Sequence, residues 1–113
     1  MKNKYIIKSP DEFNTIINTG KKIKGNIITM YYFPSNDNKM YFGFAVGKKI
    51  GNAVERNKVK RKLRMIVHQN QFLFSNKFKY IIMLRKDCLS FSHDKWNKDL
   101  IDIIGKVNEN EKN

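Results

Sequence analysis

Residues 48–64 read KKIGNAVERNKVKRKLR, and this stretch decides how the chain folds. A set of apolar residues within and just beyond it recurs at helical spacing and falls within an arc of about 100°. The members of this set are Val59, Leu63, Ile66 and Val67. An arc of that width is typical of a helix that buries one face in a core. The pattern therefore predicts a helix from about Val54 to Gln69.

The same stretch concentrates positive charge. It holds eight Lys or Arg residues and a single acid, Glu55, so its net charge is +7 out of +13 for the whole chain. Arg56, Lys60 and Arg64 follow one another at every fourth position along one flank of the predicted helix. Like charges at this spacing cost a few tenths of a kcal/mol per pair, and a merely solvated helix face normally mixes its signs. The pattern favours a polyanionic partner, and nucleic acid in particular.

Two further helices are predicted at either end of the chain. Ser9 is a capping residue followed by Pro10, and the apolar spacing that starts at Phe13 ends at Gly20. Ser92 caps the last helix. The apolar side of that last helix consists of Trp96, Leu100, Ile103, Ile104 and Val107.

Three strands are predicted between these helices. Ile23–Phe33 and Met40–Val46 are rich in β-branched and aromatic residues and are separated by a turn, which predicts an antiparallel hairpin. Lys79–Leu84 is a candidate buried strand. The element order predicts one α/β sandwich of two or three layers spanning residues 1–113, with a frayed polar tail at 108–113. By base rate, the strand–helix–strand passage from Met40 through Leu84 would be a right-handed parallel crossover.

Composition excludes several classes of protein. The chain of 113 residues is 41% hydrophobic, which suffices for one core despite a mean hydropathy of −0.60. No run approaches the roughly 18 apolar residues of a membrane span, and the apolar run near the start is too short for a signal peptide, so we expect a cytoplasmic protein. A lone Cys88, the separated His68 and His93 and the lack of paired carboxylates argue against a disulfide framework, a zinc site and a catalytic centre.

Aromatic residues form a second candidate feature. Alternate strand residues share a face, so Tyr31 points with Phe33, and Phe42 points with Phe44. One of these faces must belong to the core, and the other is a candidate platform on which unpaired bases could stack. The sequence leaves open which pair lies on which face.

Residues 48–64 also carry a resemblance. Their pattern is Lys-Lys, one residue, Gly-Asn-Ala-Val, one residue, Arg-Asn, two residues, Lys-Arg, two residues, Arg, and it closely resembles the signature of the bacterial ribonuclease P protein subunit. Similarity extends more thinly over nearly the whole chain, at Phe13, Gly20, Tyr31, Phe42-Gly43 and Arg85. The resemblance implies a two-layer α/β (α+β) sandwich of the ribosomal protein S5 domain 2-like class. Its strand–helix–strand crossover would be left-handed, against the base rate.

The resemblance further implies an RNA-binding accessory subunit. Such a protein binds the catalytic RNA of ribonuclease P and the 5′ leader of precursor tRNA, the RNA hydrolyses the phosphodiester with Mg²⁺ that it holds itself, and no other protein partner is obligatory. The residues implied to contact the catalytic RNA are Lys48, Lys49, Asn52, Arg56, Asn57, Lys58, Lys60, Arg61 and Arg64. The residues implied to line the leader cleft are Phe13, Ile17, Tyr31, Phe42, Lys60, Arg64 and Arg85.

Several positions depart from the family pattern. Ile17 stands where a second aromatic residue is frequent, Ile6 and Asn26 replace common arginines, and Lys58 replaces the second arginine of the signature. A lost stacking ring costs about 1–3 kcal/mol per base, which would weaken leader binding. The hypothesis that follows is electrostatic compensation by three lysines, Lys21, Lys22 and Lys24.

Three other functions fit parts of the pattern. A general RNA-binding module shares the charge and the aromatic residues but needs no partner ribozyme. A DNA-binding regulator would use Glu55 to Gln69 as a recognition helix, although no helix is predicted a short turn before it. A stand-alone nuclease would need a cluster of carboxylates to hold Mg²⁺, and the sequence suggests none.

Overall fold

The computed structural model describes residues 5–111 as one α/β unit. Its regular elements, in chain order, are α1 (Pro10–Thr19), β1 (Lys21–Lys24), β2 (Ile28–Pro34), β3 (Tyr41–Ala45), α2 (Ala53–Gln69), β4 (Phe78–Leu84) and α3 (His93–Asn110). Single 3₁₀ turns lie at Lys48–Ile50, Gln71–Leu73 and Cys88–Ser90. All three predicted helices are present, and α2 begins one residue before the predicted start. None of the helices formed within this range combines the length and apolar character that a membrane span needs.

The four strands form one sheet in the order β1-β2-β4-β3. β2 pairs antiparallel with both β1 and β4, whereas β3 pairs parallel with β4. The predicted hairpin of Ile23–Phe33 with Met40–Val46 is therefore wrong. The first segment is itself broken at residues 25–27 into the β1–β2 hairpin, and β4 inserts between β2 and β3. The parallel passage from β3 through α2 to β4 was predicted correctly.

A buried carboxylate fixes the break between β1 and β2. Asp99 of α3 is 7% exposed and accepts backbone N–H bonds from Asn26 (3.0 Å), Ile27 (3.0 Å) and Ile28 (2.9 Å). A Cβ atom on Gly25 would lie 2.6 Å from the Oδ2 atom of Asp99, so only glycine allows this close approach. The turn and α3 are thereby held together by charge-assisted hydrogen bonds.

Hydrophobic side chains pack on both faces of the sheet. α2 and α3 cover one face, and this main core includes the four apolar residues of α2 and the five of α3 that the spacing predicted. On the other face α1 packs in a smaller cluster around Ile16 and Ile81, with Phe13, Ile17 and Tyr31 half-buried beside them. The sheet and the α2–α3 layer form the predicted two-layer sandwich, and α1 leaves part of the opposite face open.

α3 extends into residues 108–113, where a frayed polar tail is expected from the sequence. α3 continues through residues 108–110, and its last turn is held by long-range contacts. Lys21 Nζ lies 2.6 Å from Glu111 Oε2, and the Asn108 side chain donates to the Leu73 carbonyl at 3.3 Å. The ion pair raises the pKa of Lys21 and lowers that of Glu111, mainly through their side-chain hydrogen bond. Residues 112 and 113 of the expected tail lie outside the described range.

The chain should unfold more easily without the buried carboxylate of Asp99. We expect Asp99→Ala to lower the free energy of unfolding by about 2–4 kcal/mol, because three backbone donors lose a charged acceptor. Asp99→Asn keeps one oxygen as an acceptor, so its free energy of unfolding should lie between those of Asp99→Ala and the parent. Urea unfolding followed by circular dichroism measures the change, and Asp102→Ala, exposed on the same helix, is the control. An equal effect of the two alanine substitutions would contradict this role for Asp99.

Candidate functional site

The basic helix α2 starts with a complete capping box. Asn52 Oδ1 accepts from the Glu55 backbone N–H at 2.9 Å, and Glu55 Oε1 accepts from the Asn52 backbone N–H at 3.1 Å. A Cβ on Gly51 would lie 2.7 Å from that same Oε1 atom, so the glycine makes room for the cap. Sequence reasoning placed Asn52 among the RNA-contacting residues, whereas its side-chain oxygen caps the helix. The single acid of residues 48–64 is thus engaged by backbone and by no basic side chain.

One flank of α2 borders the open face of the sheet. Arg56, Lys60 and Arg64 are all half-buried there. The Arg56 guanidinium donates weakly to the Gly51 carbonyl at 3.4 Å, and the Arg64 guanidinium carbon lies 5.6 Å from the centre of the Phe44 ring. The Nε atom of Arg64 is buried without a hydrogen-bond partner among the described residues. These three cations pack against the protein but form no ion pair with a carboxylate of residues 5–111, so their charges are not neutralised there.

The outer side of α2 is exposed and mixes cations with apolar residues. Asn57, Lys58 and Arg61 are exposed, and so are Val54 (63%) and Met65 (46%). Lys48 and Lys49 are exposed in the turn before the helix. Within residues 5–111, no basic side chain of this stretch lies within 4 Å of a carboxylate. This surface differs from a solvated helix face, which normally carries both signs of charge.

Lys62 is half-buried on the side of α2 that faces α3. Its Nζ atom lies 4.2 Å from the centre of the Trp96 ring, and Trp96 is buried in the core between α2 and α3. A cation over a Trp ring is stabilised by about 0.5–2 kcal/mol. Lys62 therefore helps to join the two helices.

A cleft lies between α1, the ends of β3 and β4, and α2. Its volume is about 650 Å³. Its lining includes Lys8, Phe13, Gly47, Lys60 and Met83. The wall formed by Phe13 is set by close packing, because a Cβ on Gly43 of β3 would lie only 2.7 Å from the Phe13 ring. The cleft thus has apolar walls with a lysine on two sides.

Two of the predicted cleft residues, Phe13 and Lys60, line this cleft. Ile17 and Tyr31 lie beside Phe13 in the cluster under α1 and do not line it. Arg85 is exposed immediately after β4, where its backbone N–H donates to Ile27.

Phe42 is a correction, because it has no exposed surface and lies in the core on the opposite face. Its ring packs against Tyr80 and Phe74 with centroids 5.7 Å and 4.9 Å apart. The open choice between the two aromatic pairs is resolved: Phe42 and Phe44 face the main core, and Tyr31 and Phe33 face α1. Arg64 lies over the ring of Phe44, which lines the cleft, but Arg64 itself is not part of the lining.

Three residues that depart from the family pattern fit their surroundings in this structure. Ile6 forms a parallel bridge with Phe42 and packs against the main core, where an apolar side chain fits. Asn26 is exposed in the β1–β2 turn, and its backbone N–H binds Asp99. Ile17 is half-buried on α1, so an aromatic ring there would enlarge the α1 cluster.

The titratable groups within residues 5–111 are mostly separated from one another. The part of the chain that the structure describes holds no group of three His, Cys, Asp or Glu side chains that could bind a metal ion. Cys88 is buried, and burial raises the pKa of its thiol, which makes it a poor nucleophile. Burial also raises the pKa of Tyr80 to about 12, and its hydroxyl donates to the Ser75 carbonyl. Neither the Cys88 thiol nor the Tyr80 hydroxyl is therefore poised to act as a nucleophile.

Two features of the site were missed from the sequence. Lys8 and Met83 line the cleft, although neither belongs to a motif. Lys79 pairs with Glu12 at 2.6 Å and lies 5.4 Å from the Tyr41 ring centre, which ties α1 to the sheet. The alternation of residues 79, 81 and 83 in β4 could have placed Met83 and Lys79 on the α1 face.

The sequence of this chain is similar to those of one family of known proteins. The Ribonuclease P family model matches residues 1–108. The ribonuclease P protein component of Mycoplasma mycoides is 44% identical over 95% of this chain and 99% of its own length. That of Bacillus cereus is 32% identical over 92% and 91%.

Solved structures share the fold. The ribonuclease P protein of Staphylococcus aureus superposes with a TM-score of 0.82 at 23% identity, covering 91% of this chain and 94% of that one. The Thermotoga maritima protein gives a TM-score of 0.80 at 19% identity, covering 88% and 94%.

Fold and site together define a small, strongly basic α/β sandwich in which a cationic helix, whose one acid Glu55 caps its own first turn, borders an open cleft. The family-model match and the sequence relatives then assign it further. The chain belongs to the family of bacterial ribonuclease P protein components, the protein part of a tRNA-processing ribonucleoprotein.

The wall of the cleft can be tested through the glycine beneath it. We expect Gly43→Ala to lower the free energy of unfolding by about 1–3 kcal/mol, because the new methyl group overlaps the Phe13 ring. Gly47→Ala, which meets nothing within 4 Å, is the control and should be nearly neutral. The double variant Gly43→Ala/Phe13→Leu replaces the ring by a smaller side chain. Its loss in free energy of unfolding should therefore be less than the sum of the losses of the two single variants. Strict additivity in urea titrations would mean that Phe13 does not pack on this glycine.

Proposed function

We propose that this protein binds the catalytic RNA of ribonuclease P through α2 and the 5′ leader of precursor tRNA through the cleft. It thereby assists the Mg²⁺-dependent removal of the leader to give the mature 5′ end of the tRNA. The protein would act in the cytoplasm and would need no other protein. The observation that carries the proposal is the surface of α2, where no cation of residues 48–64 has a carboxylate neighbour within the described range.

The electrostatic reason concerns two polyanions. Catalytic RNA and precursor tRNA repel each other, and a protein of net charge +13 placed between them releases condensed counterions from both. Its presence would reduce the concentration of Mg²⁺ that the two RNAs need to associate. The charge is unevenly distributed, because the exposed face of α3 combines Lys98 and Lys106 with Asp94, Asp102 and Glu109. One side of the molecule is therefore suited to RNA and the other to solvent.

The cleft suits a single strand. Phe13 in the cleft wall and Tyr31 in the neighbouring cluster are half-buried and offer ring surface to unpaired bases, while Lys8 and Lys60 of the cleft lining can meet phosphates. Stacking on aromatic rings tolerates any base, which fits leaders of varied sequence.

Mg²⁺ would be held by the RNA, where it supplies the charge that stabilises the hydrolytic transition state. The residues of this chain do not form a ligand set for it within residues 5–111. Their part is to bind, orient and bring together the two RNA molecules.

The alternative functions fit less well. Within the described part of the chain, α2 follows β3 and the turn at Lys48–Ile50, so the helix-turn-helix arrangement of a DNA-binding regulator is absent. A general RNA-binding module would share the charge. Such a function does not by itself explain why a cleft with an aromatic wall lies beside the basic helix. Preference for precursor over mature tRNA distinguishes the two.

The direct test is cleavage of a precursor tRNA with a 5′ extension by a ribonuclease P catalytic RNA at low Mg²⁺, with and without the protein. We expect the protein to stimulate cleavage, to cleave nothing alone, and to lose its effect as monovalent salt rises. Equal stimulation at high salt would contradict the electrostatic account. Tight binding to unrelated RNAs without stimulation would favour the general RNA-binding module.

The outer side of α2 should determine affinity for the catalytic RNA. We expect Lys58→Ala/Arg61→Ala to weaken binding and to reduce the slope of log K against log salt by about 2, one per lost phosphate contact. Lys98→Ala/Lys106→Ala removes the same charge from α3 and serves as the control. Filter binding over a salt series gives both slopes. If the two double variants behaved alike, the effect would be one of net charge, and the α2 surface would not be the interface.

A further inference from the structure

The register of the sheet extends the cleft into a longer track. On the α1 face, Ala45 of β3 is paired with Met83 of β4, Met83 with Thr29 of β2, and Thr29 with Lys24 of β1. Ala45 and Met83 line the cleft, so a straight row of residues leads from the cleft across the sheet to its edge strand. Three steps between strands give it a length of about 14 Å.

The neighbouring rows form the sides of this track. On one side, Gly43 and Ile81 are covered by α1, and Tyr31 lies half-buried beside them. On the other side, Arg85 continues the alternation of β4 beyond Met83 and is exposed. The floor between them carries two small side chains, the half-buried Ala45 and Thr29, which is 9% exposed. A chain of nucleotides that continued past the cleft would pass over this floor toward the edge strand.

The edge strand ends the track with two cations. Lys24 is exposed at the end of the row, and Lys22, paired with Tyr31, has its Nζ atom 5.7 Å from the Tyr31 ring centre. Lys21 of the same strand is different, because it pairs with Tyr32 and binds Glu111 at the edge of the opposite face. The structure thus divides the three lysines of the compensation hypothesis into two on the track and one away from it.

We propose that Lys22 and Lys24 bind phosphates of the 5′ leader at the far end of this track, beyond the cleft. This inference rests on the proposed function and deepens it. A base of the leader lies against Tyr31 while its neighbouring phosphates meet the two ammonium groups, and Arg85 contacts the same strand from the other side. The cations compensate in part for the aromatic ring that Ile17 does not supply.

Lysines on an edge strand have another physical use. They discourage pairing of that strand with another chain, and this use alone would be served equally by Lys21. What favours a leader site is the alignment of Lys22 and Lys24 with the row that begins in the cleft.

The test measures binding of three RNAs by the holoenzyme assembled from a catalytic RNA and the full chain. The RNAs are a precursor tRNA whose leader is long enough to cross the sheet, a precursor whose leader ends in the cleft, and mature tRNA. The proteins are the parent, Lys22→Ala/Lys24→Ala, and the charge-matched control Lys21→Ala/Lys106→Ala. Lys22→Gln/Lys24→Gln repeats the experiment with longer side chains that keep β1 solvated, in case the alanines disturb folding.

We expect the Lys22 and Lys24 substitutions to weaken binding of the long-leader precursor about fivefold or more. The slope of log K against log salt should fall by about 1.4, or 0.7 for each single-strand phosphate contact. Binding of the other two RNAs should not change, and the control should match the parent throughout. An equal loss for all three RNAs, or no loss for any, would overturn the proposal. A parent holoenzyme that does not prefer precursors over mature tRNA would instead contradict the proposed function itself.

Discussion

The structure depends on one constraint. The helix α2 must bury an apolar face while its other sides carry cations that form no ion pair with a carboxylate of residues 5–111. Val59, Leu63, Ile66 and Val67 are at most 5% exposed, so the core holds the helix against the mutual repulsion of its charges. The capping box at Asn52 and Glu55 adds local stability at its start. Neither feature neutralises the cations, and that task is left to a partner. The most basic part of the molecule is thus also one of its most firmly packed.

The sheet turns this helix into a site. Because β4 lies at the centre, between β2 and β3, the connection through α2 returns to the sheet beside the strand it left. α2 and α3 occupy one face, and the short α1 covers only part of the other. The uncovered part lies next to Lys60 and the flank of α2. The cleft therefore follows from topology together with the length of one helix, and its track to β1 follows from strand register.

Helices were predicted from the sequence more accurately than strand pairing and long-range contacts. The spacing that starts α2 near residue 53 is local, and so are the capping residues Ser9 and Ser92, both of which accept the expected backbone bond. The hairpin was wrong because alternation shows that a segment is a strand without showing which strand it joins. The break at Gly25 depends on Asp99, which lies more than seventy residues away.

The same limits apply to the site. The basic residues of α2 were found because a signature and a charge pattern coincide in one stretch. Phe42 was misplaced because the two faces of a strand look alike until their packing partners are known, and its partners Phe74 and Tyr80 come from later in the chain. Residues 108–110 are helical in α3, and the contact that holds the end of this helix joins Lys21 to Glu111 across ninety positions, which leaves no local signal in the sequence.

The central claim is that catalytic RNA lies along α2 while the leader lies in the cleft. Site-directed RNA cleavage tests it most directly, with an iron chelate attached to single introduced cysteines in the assembled holoenzyme. The native Cys88 is buried, so the label goes to Val54→Cys on α2, Asn14→Cys at the cleft or Lys106→Cys on α3. The account predicts cuts in the catalytic RNA from position 54, cuts in the leader from position 14, and no cuts from position 106. Cuts in the same RNA segments from all three positions, or leader cuts from position 106, would contradict it.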